Sequence, residues 1–328
     1  MAVERAPVEQ TQAEGRLPLE GIRVADLSWF GAGPICGQVL ANFGAEVIRV
    51  ESESHPDGLR STQPVPPGKS GLNVSGYYNN FNASKLSFTL NLNHPKARDL
   101  ALRLIAKSDV VLENYTPRVM EKWGLTDEAI FAANPRVILV HMPMQGSSGP
   151  HRDFLGFGGV LAPLSGFSYL AGFPHQKPVG LGTNYPDYVV NPGHAAVAVL
   201  AALHWRRRTG KGQRIEVSQL ESTVSALGPY LMDYLANGRV AERTGNRHPA
   251  AAPHGAYPCA GDDRWCVIAV FTDAQWDALC DVMGRPAWCQ DGRFATLLGR
   301  KAHEDELEAR LAEWTRTKTA EEVMDLLQ

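Results

Sequence analysis

The feature that most restricts the fold is a repeated alternation of short apolar runs with helical segments. Gly21-Ile22-Arg23-Val24-Ala25-Asp26-Leu27 reads as a buried strand, Gly33-Pro34 opens a helix through Val39-Leu40, and Ala45-Glu46-Val47-Ile48-Arg49-Val50 reads as a second strand. Further strands are expected at 86–92, 110–113 and 136–141, with a helix over 95–107 that starts after Asn93 and carries apolar residues at helical spacing. Strands that alternate with helices need crossover connections, and crossovers give parallel neighbours. The expected fold class is therefore α/β, with a mostly parallel sheet.

Segments 60–82 and 146–159 are rich in Pro, Gly, Ser and Asn and read as loops, which in such folds often line sites. An alanine-rich helix over 192–205 ends in Arg206-Arg207-Arg208 and Gly210. That basic cluster fits a dipole-matched helix end better than a phosphate site. From about Gly245 a second unit begins, with a strand over 265–271 and amphipathic helices over 273–283 and 303–314. The organisation expected is a tail over 1–17, a large domain over 18–225, a linker over 226–244 and a smaller α+β domain over 245–328. Two cores suit 328 residues at 44% hydrophobic content, since single cores stop growing near roughly 250–300 residues.

A net charge of −3 provides no global field for nucleic acid or an anionic membrane, so neither is expected as a partner. The polar first 20 residues lack the apolar stretch of a signal peptide, and no apolar run approaches the roughly 18 residues of a membrane span, so a cytoplasmic protein is expected. Five cysteines without a CxxC pair and ten histidines without HExxH spacing argue against a disulfide framework and against a metal centre.

Chemistry concentrates in a few motifs. Gly31-Ala32-Gly33-Pro34 follows the first strand and leads into a helix, a place where backbone meets phosphate or ligand, but its spacing does not complete a dinucleotide fingerprint. Glu113-Asn114-Tyr115-Thr116-Pro117 follows a later strand, and Thr209-Gly210-Lys211-Gly212-Gln213 follows the alanine-rich helix. Asp187 lies in Thr183-Asn184-Tyr185-Pro186-Asp187-Tyr188, ahead of Gly193-His194-Ala195-Ala196. Spacing alone leaves it two readings, a reactive carboxylate or an N-cap of the following helix.

These motifs, together with Leu19-Glu20-Gly21-Ile22-Arg23-Val24, Phe43-Gly44-Ala45-Glu46-Val47-Ile48, Trp123-Gly124-Leu125 and Asn134-Pro135-Arg136, form an ordered set from about Leu17 onward that resembles the class III coenzyme A transferase family. The resemblance implies a Rossmann-like large domain, a small domain and a homodimer whose chains interlock. It implies that Asp187 is the covalent nucleophile. Positions matching the family's coenzyme A contacts are Gly31, Ala32, Leu90, Asn91, Leu92, Asn93, Asn114, Tyr115, Thr116, Lys122, Gly156, Phe157 and Gly158. Coenzyme A and acyl-CoA would be substrates, with no permanently bound cofactor and no metal. The implied chemistry passes through an aspartyl anhydride and an aspartyl-CoA thioester, and Gly156-Phe157-Gly158-Gly159 would offer backbone N–H groups to the oxyanion. Arg60 is a candidate phosphate contact or simply a loop arginine.

The chain also departs from that family. Formyl-CoA transferases carry glutamine at the position of Gly31, arginine at Ser52, a lysine near Leu155 and a tyrosine-glutamate pair at Phe157-Gly158, and their glycine-rich lid is replaced here by segments around 245–249 and 253–255. A small polar acid such as oxalate is not expected, whereas Phe157, Tyr185 and Tyr188 suit a larger, more apolar acyl group. In the related α-methylacyl-CoA racemases a histidine falls at Phe157, which cannot carry a proton, so transfer is favoured over racemisation; His151 and His194 are the substitutes to consider. Members of the family usually continue beyond Gln328, so a truncated or split form is expected, and a silent subunit of a hetero-oligomer is the alternative to an active homodimer.

Overall fold

The structure is a computed structural model that describes residues 17–328; most of the tail expected over 1–17 lies outside the described residues. Two compact units are present. The first comprises the described residues to Phe167 together with Leu181–Arg239, and the second comprises Ser168–Gly180 with Val240–Gln328.

The first unit is built on six strands: β1 (Arg23–Asp26), β2 (Glu46–Glu51), β3 (Leu86–Thr89), β4 (Val110–Glu113), β5 (Ile138–His141) and β6 (Gln213–Glu216). All neighbours pair in parallel, in the order β3-β2-β1-β4-β5-β6. Connections run through α1 (Ala32–Asn42), α2 (Gly76–Phe81), α3 (Ala97–Ile105), α4 (Pro117–Lys122), α5 (Asp127–Ala133), α6 (Gly158–Ser165) and α8 (Asn191–Thr209), while the short α7 (Phe167–Leu170) lies mostly in the second unit. After β6 come α9 (Gln219–Ser225) and α10 (Gly228–Asn237).

The period-two alternation of strand side chains explains why near-continuous apolar runs are needed here. Val24, Val110, Leu112, Ile138 and Val140 pack with Cys36 and Leu40 of α1 and with Ala195, Ala196, Val199 and Leu203 of α8. The alternate residues Ala25, Val111 and Leu139 pack on the opposite face with Ile105 of α3, Met120 of α4 and Ile130 of α5. Each fully buried side chain of this size contributes about 1.5–3 kcal/mol of transfer free energy, and both faces are covered. Arg206 is buried at the end of α8, where it donates to the Asp109 carboxylate at 2.7 Å and to the carbonyls of Asp109 and Arg136. That is the structural reading of the basic cluster.

Sequence reasoning leaves β6 unassigned and treats 60–82 and 146–159 wholly as loop, although α2 and the start of α6 fall inside those segments. The second unit holds an antiparallel pair, β7 (His254–Pro258) and β8 (Trp265–Ala269), with α11 (Asp273–Val282), α12 (Leu297–Ala302), α13 (Glu304–Thr315) and α14 (Ala320–Leu327). Its core gathers Tyr257, Ile268, Trp276, Leu279, Phe294, Leu307, Leu311 and Val323. Among the described residues no helix is long and apolar enough to cross a membrane, and no cluster of His, Cys, Asp and Glu could hold a metal ion.

Candidate active site

The strand order reverses between β1 and β4, and in open parallel sheets the crevice outside the carboxyl ends at such a reversal is where ligands bind. A cavity of about 500 Å³ opens there. The loop after β1 contributes Trp29, Phe30, Gly31 and Ala32; the loop after β4 contributes Asn114, Tyr115 and Thr116; the segment after β5 contributes Met144, Phe154, Leu155, Gly156 and Phe157. Val119, Val160, Gln219 and Asp187 complete the wall.

Asp187 sits in a π-helical turn, Pro186–Val190, that runs directly into α8. Single π-turns inside helices are uncommon and are found frequently at functional sites. The side chain is 6% exposed. It does not cap the helix that follows. Instead its Oδ2 accepts from the backbone N–H of Gly158, the first residue of α6, at 2.7 Å. Burial raises its pKa from 3.8 to about 6, and the Gly158 N–H opposes only part of that rise.

Two glycines make this approach possible. A Cβ on Gly158 would lie 2.9 Å from both Cγ and Oδ2 of Asp187, and one on Gly31 would lie 3.1 Å from the Asp187 Cβ. Any side chain at Gly158 would therefore displace the carboxylate. Below the turn, the fully buried Asn191 donates to Gln219 at 3.3 Å and accepts from the Ser222 hydroxyl, while Gln219 donates to the Met142 carbonyl at 2.6 Å. This network ties the start of α8 to α9 and to the end of β5, under the residue that carries the carboxylate.

The wall after β1 is held with equal care. Asn114 accepts from the Trp29 N–H and donates to the Trp29 carbonyl, both at 2.7 Å, so its amide clamps the backbone of that loop. Phe30 adopts a left-handed φ of 57°, which a bulky residue seldom does, and its N–H donates to Asp57 at 3.1 Å. The Phe30 ring stands 4.7 Å from the ring of Phe157. Tyr115 packs edge-on against Trp123 at 5.2 Å, and its N–H donates to Glu113.

The structure thus brings Gly31, Ala32, Asn114, Tyr115, Thr116, Gly156, Phe157 and Asp187 to one cavity, with Gly158 directly beside the carboxylate. Leu90, Asn91, Leu92 and Asn93 line a second, smaller recess of about 40 Å³, which shares Trp29 and Tyr115 with the first. Lys122, exposed on α4, lines neither. Arg60 is committed to Glu51 at 2.5 and 2.9 Å and lies over the Tyr78 ring at 3.6 Å. Tyr188 packs with Tyr77 and Phe81, and Tyr185 with Phe167, so of the three aromatic residues expected around an acyl group only Phe157 reaches the cavity. His151 stacks on Phe154 and His194 bonds the Val190 carbonyl; neither lines the cavity.

Trp29, Phe30, Phe154, Val160 and Gln219 are wall residues that sequence reasoning does not single out. The pair Trp29-Phe30 between a strand and a glycine motif was a usable signal, because apolar rings at a strand exit have no core to enter. Gln219 has none, since it follows a four-residue edge strand that lacks a continuous apolar run.

Comparison with known proteins places this geometry in context. The profile of CoA-transferase family III matches residues 19–328. The succinyl-CoA–D-citramalate CoA-transferase of Chloroflexus aurantiacus is 36% identical over 310 residues, which cover 94% of this chain and 76% of that enzyme. The beta subunit of the succinyl-CoA–L-malate CoA-transferase from the same organism is 35% identical over 312 residues, covering 94% of this chain and 75% of that subunit. A crystal structure of a CAIB/BAIF family protein from Brucella suis superposes with a TM-score of 0.86 at 32% identity, covering 95% of this chain and 82% of that one.

Proposed function

The chain belongs to CoA-transferase family III and is a CoA-transferase, and from that premise we propose that it moves coenzyme A from an acyl-CoA thioester to a free carboxylic acid through covalent intermediates on Asp187. The observation that carries this reading is a buried carboxylate on the cavity wall that, among the described residues, no cation neutralises and one backbone N–H orients. A pKa near 6 leaves it ionised at neutral pH yet poorly solvated, which makes it a stronger nucleophile than an exposed carboxylate.

Gly158 anchors Oδ2, and Oδ1 attacks the thioester carbonyl carbon. The C–S bond breaks, coenzyme A leaves as thiolate, and a mixed anhydride joins the acyl group to Asp187. The thiolate then attacks Cγ of Asp187, the donor acid departs with one of the Asp187 oxygens, and an aspartyl-CoA thioester remains. An acceptor carboxylate attacks Cγ in turn, releasing the thiolate and forming a second anhydride; the thiolate attacks its acyl carbonyl, which gives the new acyl-CoA and frees the carboxylate. No redox partner or ATP is consumed. In this reading the Gly158 N–H at the amino end of α6 also stabilises the oxyanion that develops on Oδ2 when Cγ is attacked, and such a donor contributes on the order of 3–4 kcal/mol in other acyl-transfer sites.

Coenzyme A lies, in this reading, along Trp29 and Tyr115, which border both the cavity and the recess at Leu90–Asn93. Retention of the freed thiol there supplies the proximity that return attack requires. A Rossmann-like reading of the large unit is supported by its strand order. The proposed partner is a second copy, supported by α10, which buries no residue and exposes Tyr230, Leu231, Met232, Tyr234 and Leu235. The test is to incubate the protein with acyl-CoA esters, quench with hydroxylamine and map modification by mass spectrometry. A hydroxamate at Asp187 is the expected result; coenzyme A transfer without any modification there, or with Asp187 replaced, overturns the mechanism.

A further inference from the structure

The composition of the cavity wall bears on which acyl group it holds. Phe30, Val119, Phe154, Leu155, Phe157 and Val160 give an apolar surface beside Asp187, and among the described residues that line it none is lysine, arginine or histidine. Cations near this wall pair with carboxylates: Arg118 and Arg152 lie 2.6 and 3.8 Å from Asp153. Arg49 pairs with Asp57, Arg60 is bonded to Glu51, and Lys85 donates to Asp26 at 2.8 Å. The aromatic part of this wall is also fixed in place. Asp57 receives the N–H of the left-handed Phe30, and the Phe30 ring rests so close to Gly58 that a Cβ there would come within 2.6 Å of it. A non-glycine residue persists in that conformation only where its surroundings over-determine it.

We infer that the Phe30–Phe157 pair selects an uncharged acyl group, an aliphatic or aromatic monocarboxylate, and rejects the free carboxylate of a dicarboxylate such as a succinyl group. A second carboxylate would lose its hydration against apolar side chains and face the charge of Asp187 with no cationic side chain among the described residues that line the cavity. This inference rests on the reading of Asp187 as the covalent carrier, and it departs from what the names of the relatives describe.

The test is exchange of an isotope-labelled acid with its own CoA thioester, so that donor and acceptor share one side chain. Butyrate with butyryl-CoA and phenylacetate with phenylacetyl-CoA are compared with succinate and succinyl-CoA, and Asp187 hydroxamate is read in parallel for each. The wild-type protein is expected to exchange at least one of the uncharged pairs on the order of 10- to 100-fold faster, in kcat/KM, than the succinyl pair. Phe157→Arg is expected to reverse that order, and Phe157→Leu, which keeps the wall apolar, to preserve it. Succinyl exchange as fast as that of both uncharged pairs overturns the selectivity inference while Asp187 remains the carrier. Absence of exchange and of hydroxamate with all three thioesters sinks the covalent reading and this inference with it.

Discussion

Asp26 and Asp187 are both buried in the sheet-bearing unit, at 0% and 6% exposure, yet their surroundings push them in opposite directions. Asp26, at the end of β1, accepts from Lys85 at 2.8 Å, from the backbone N–H of Ser28 and from its hydroxyl, and has the Arg49 guanidinium at 3.6 Å. Burial alone would raise its pKa; Lys85 and Arg49 outweigh that effect and hold it below the ordinary carboxylate value. Among the described residues Asp187 has one N–H and no cation, so the rise caused by burial prevails. The fold is therefore able to compensate a buried carboxylate within a few residues of the cavity and does so where the role is architectural. Where it does not, at Asp187, the residual cost marks a candidate reactive group.

The sharpest way to break the contrast is to remove the two carboxylates in turn. Asp187→Asn keeps an acceptor for the Gly158 N–H but cannot form an anhydride, so CoA transfer is expected to fall on the order of 10⁴-fold or more while the folded state is not weakened. Initial rates with the best thioester, set beside a urea titration, check both halves. Asp26→Asn is expected to do the reverse. It strands Lys85 and leaves Arg49 with one fewer partner, and breaking a buried pair of this kind costs about 3–5 kcal/mol. A stable Asp26→Asn protein with unchanged urea midpoint would show that the ionic network around β1 and β2 is dispensable, and the comparison would lose its basis.

Much of this architecture is legible before any coordinates. The runs that became β1, β2, β4 and β5 are apolar on both faces because both faces are covered, and the 3.6-residue spacing of α3 follows from packing on one side. What escapes notice has physical reasons. Strand β6 is four residues long at the sheet edge, with Gln213 and Ile215 only half-buried, so it lacks the continuous apolar run of its neighbours. Strand β7 contains Gly255 and Pro258, which read as turn residues, yet pairs with β8. The π-turn at Asp187 has no compositional signature. Its decisive contact, to Gly158, spans 29 positions and depends on a helix that begins inside a glycine-rich segment. Sequence can place the carboxylate in a motif; only the chain's return past α6 determines whether it is capped, solvated or left exposed to a thioester.

The smallest of these effects is also the most direct measure of the asymmetry, because it compares the same side chain at several pH values. Below pH 3.8, Asp187 is protonated in both the native and the unfolded chain, and its burial carries no ionisation cost. Between pH 3.8 and about 6 the unfolded chain releases the proton while the native state keeps it, so the native state binds more protons and stability declines as pH rises. Above about 6 the full cost is present. A rise from 3.8 to about 6 corresponds to about 3 kcal/mol, so Asp187→Asn is expected to be more stable than wild type by about 2–3 kcal/mol at pH 8 and to lose that advantage by pH 4. Asp26 has the opposite linkage: its stabilisation is present above its unfolded pKa and declines as pH falls, so the penalty of Asp26→Asn shrinks in acid. Urea midpoints for wild type and both variants at pH 4, 5 and 8 resolve the two trends. An Asp187→Asn advantage that is absent at pH 8, or constant from pH 4 to 8, would mean that the carboxylate is solvated in the native protein, and kcat/KM would then fail to climb through pH 6 as the ionised nucleophile requires.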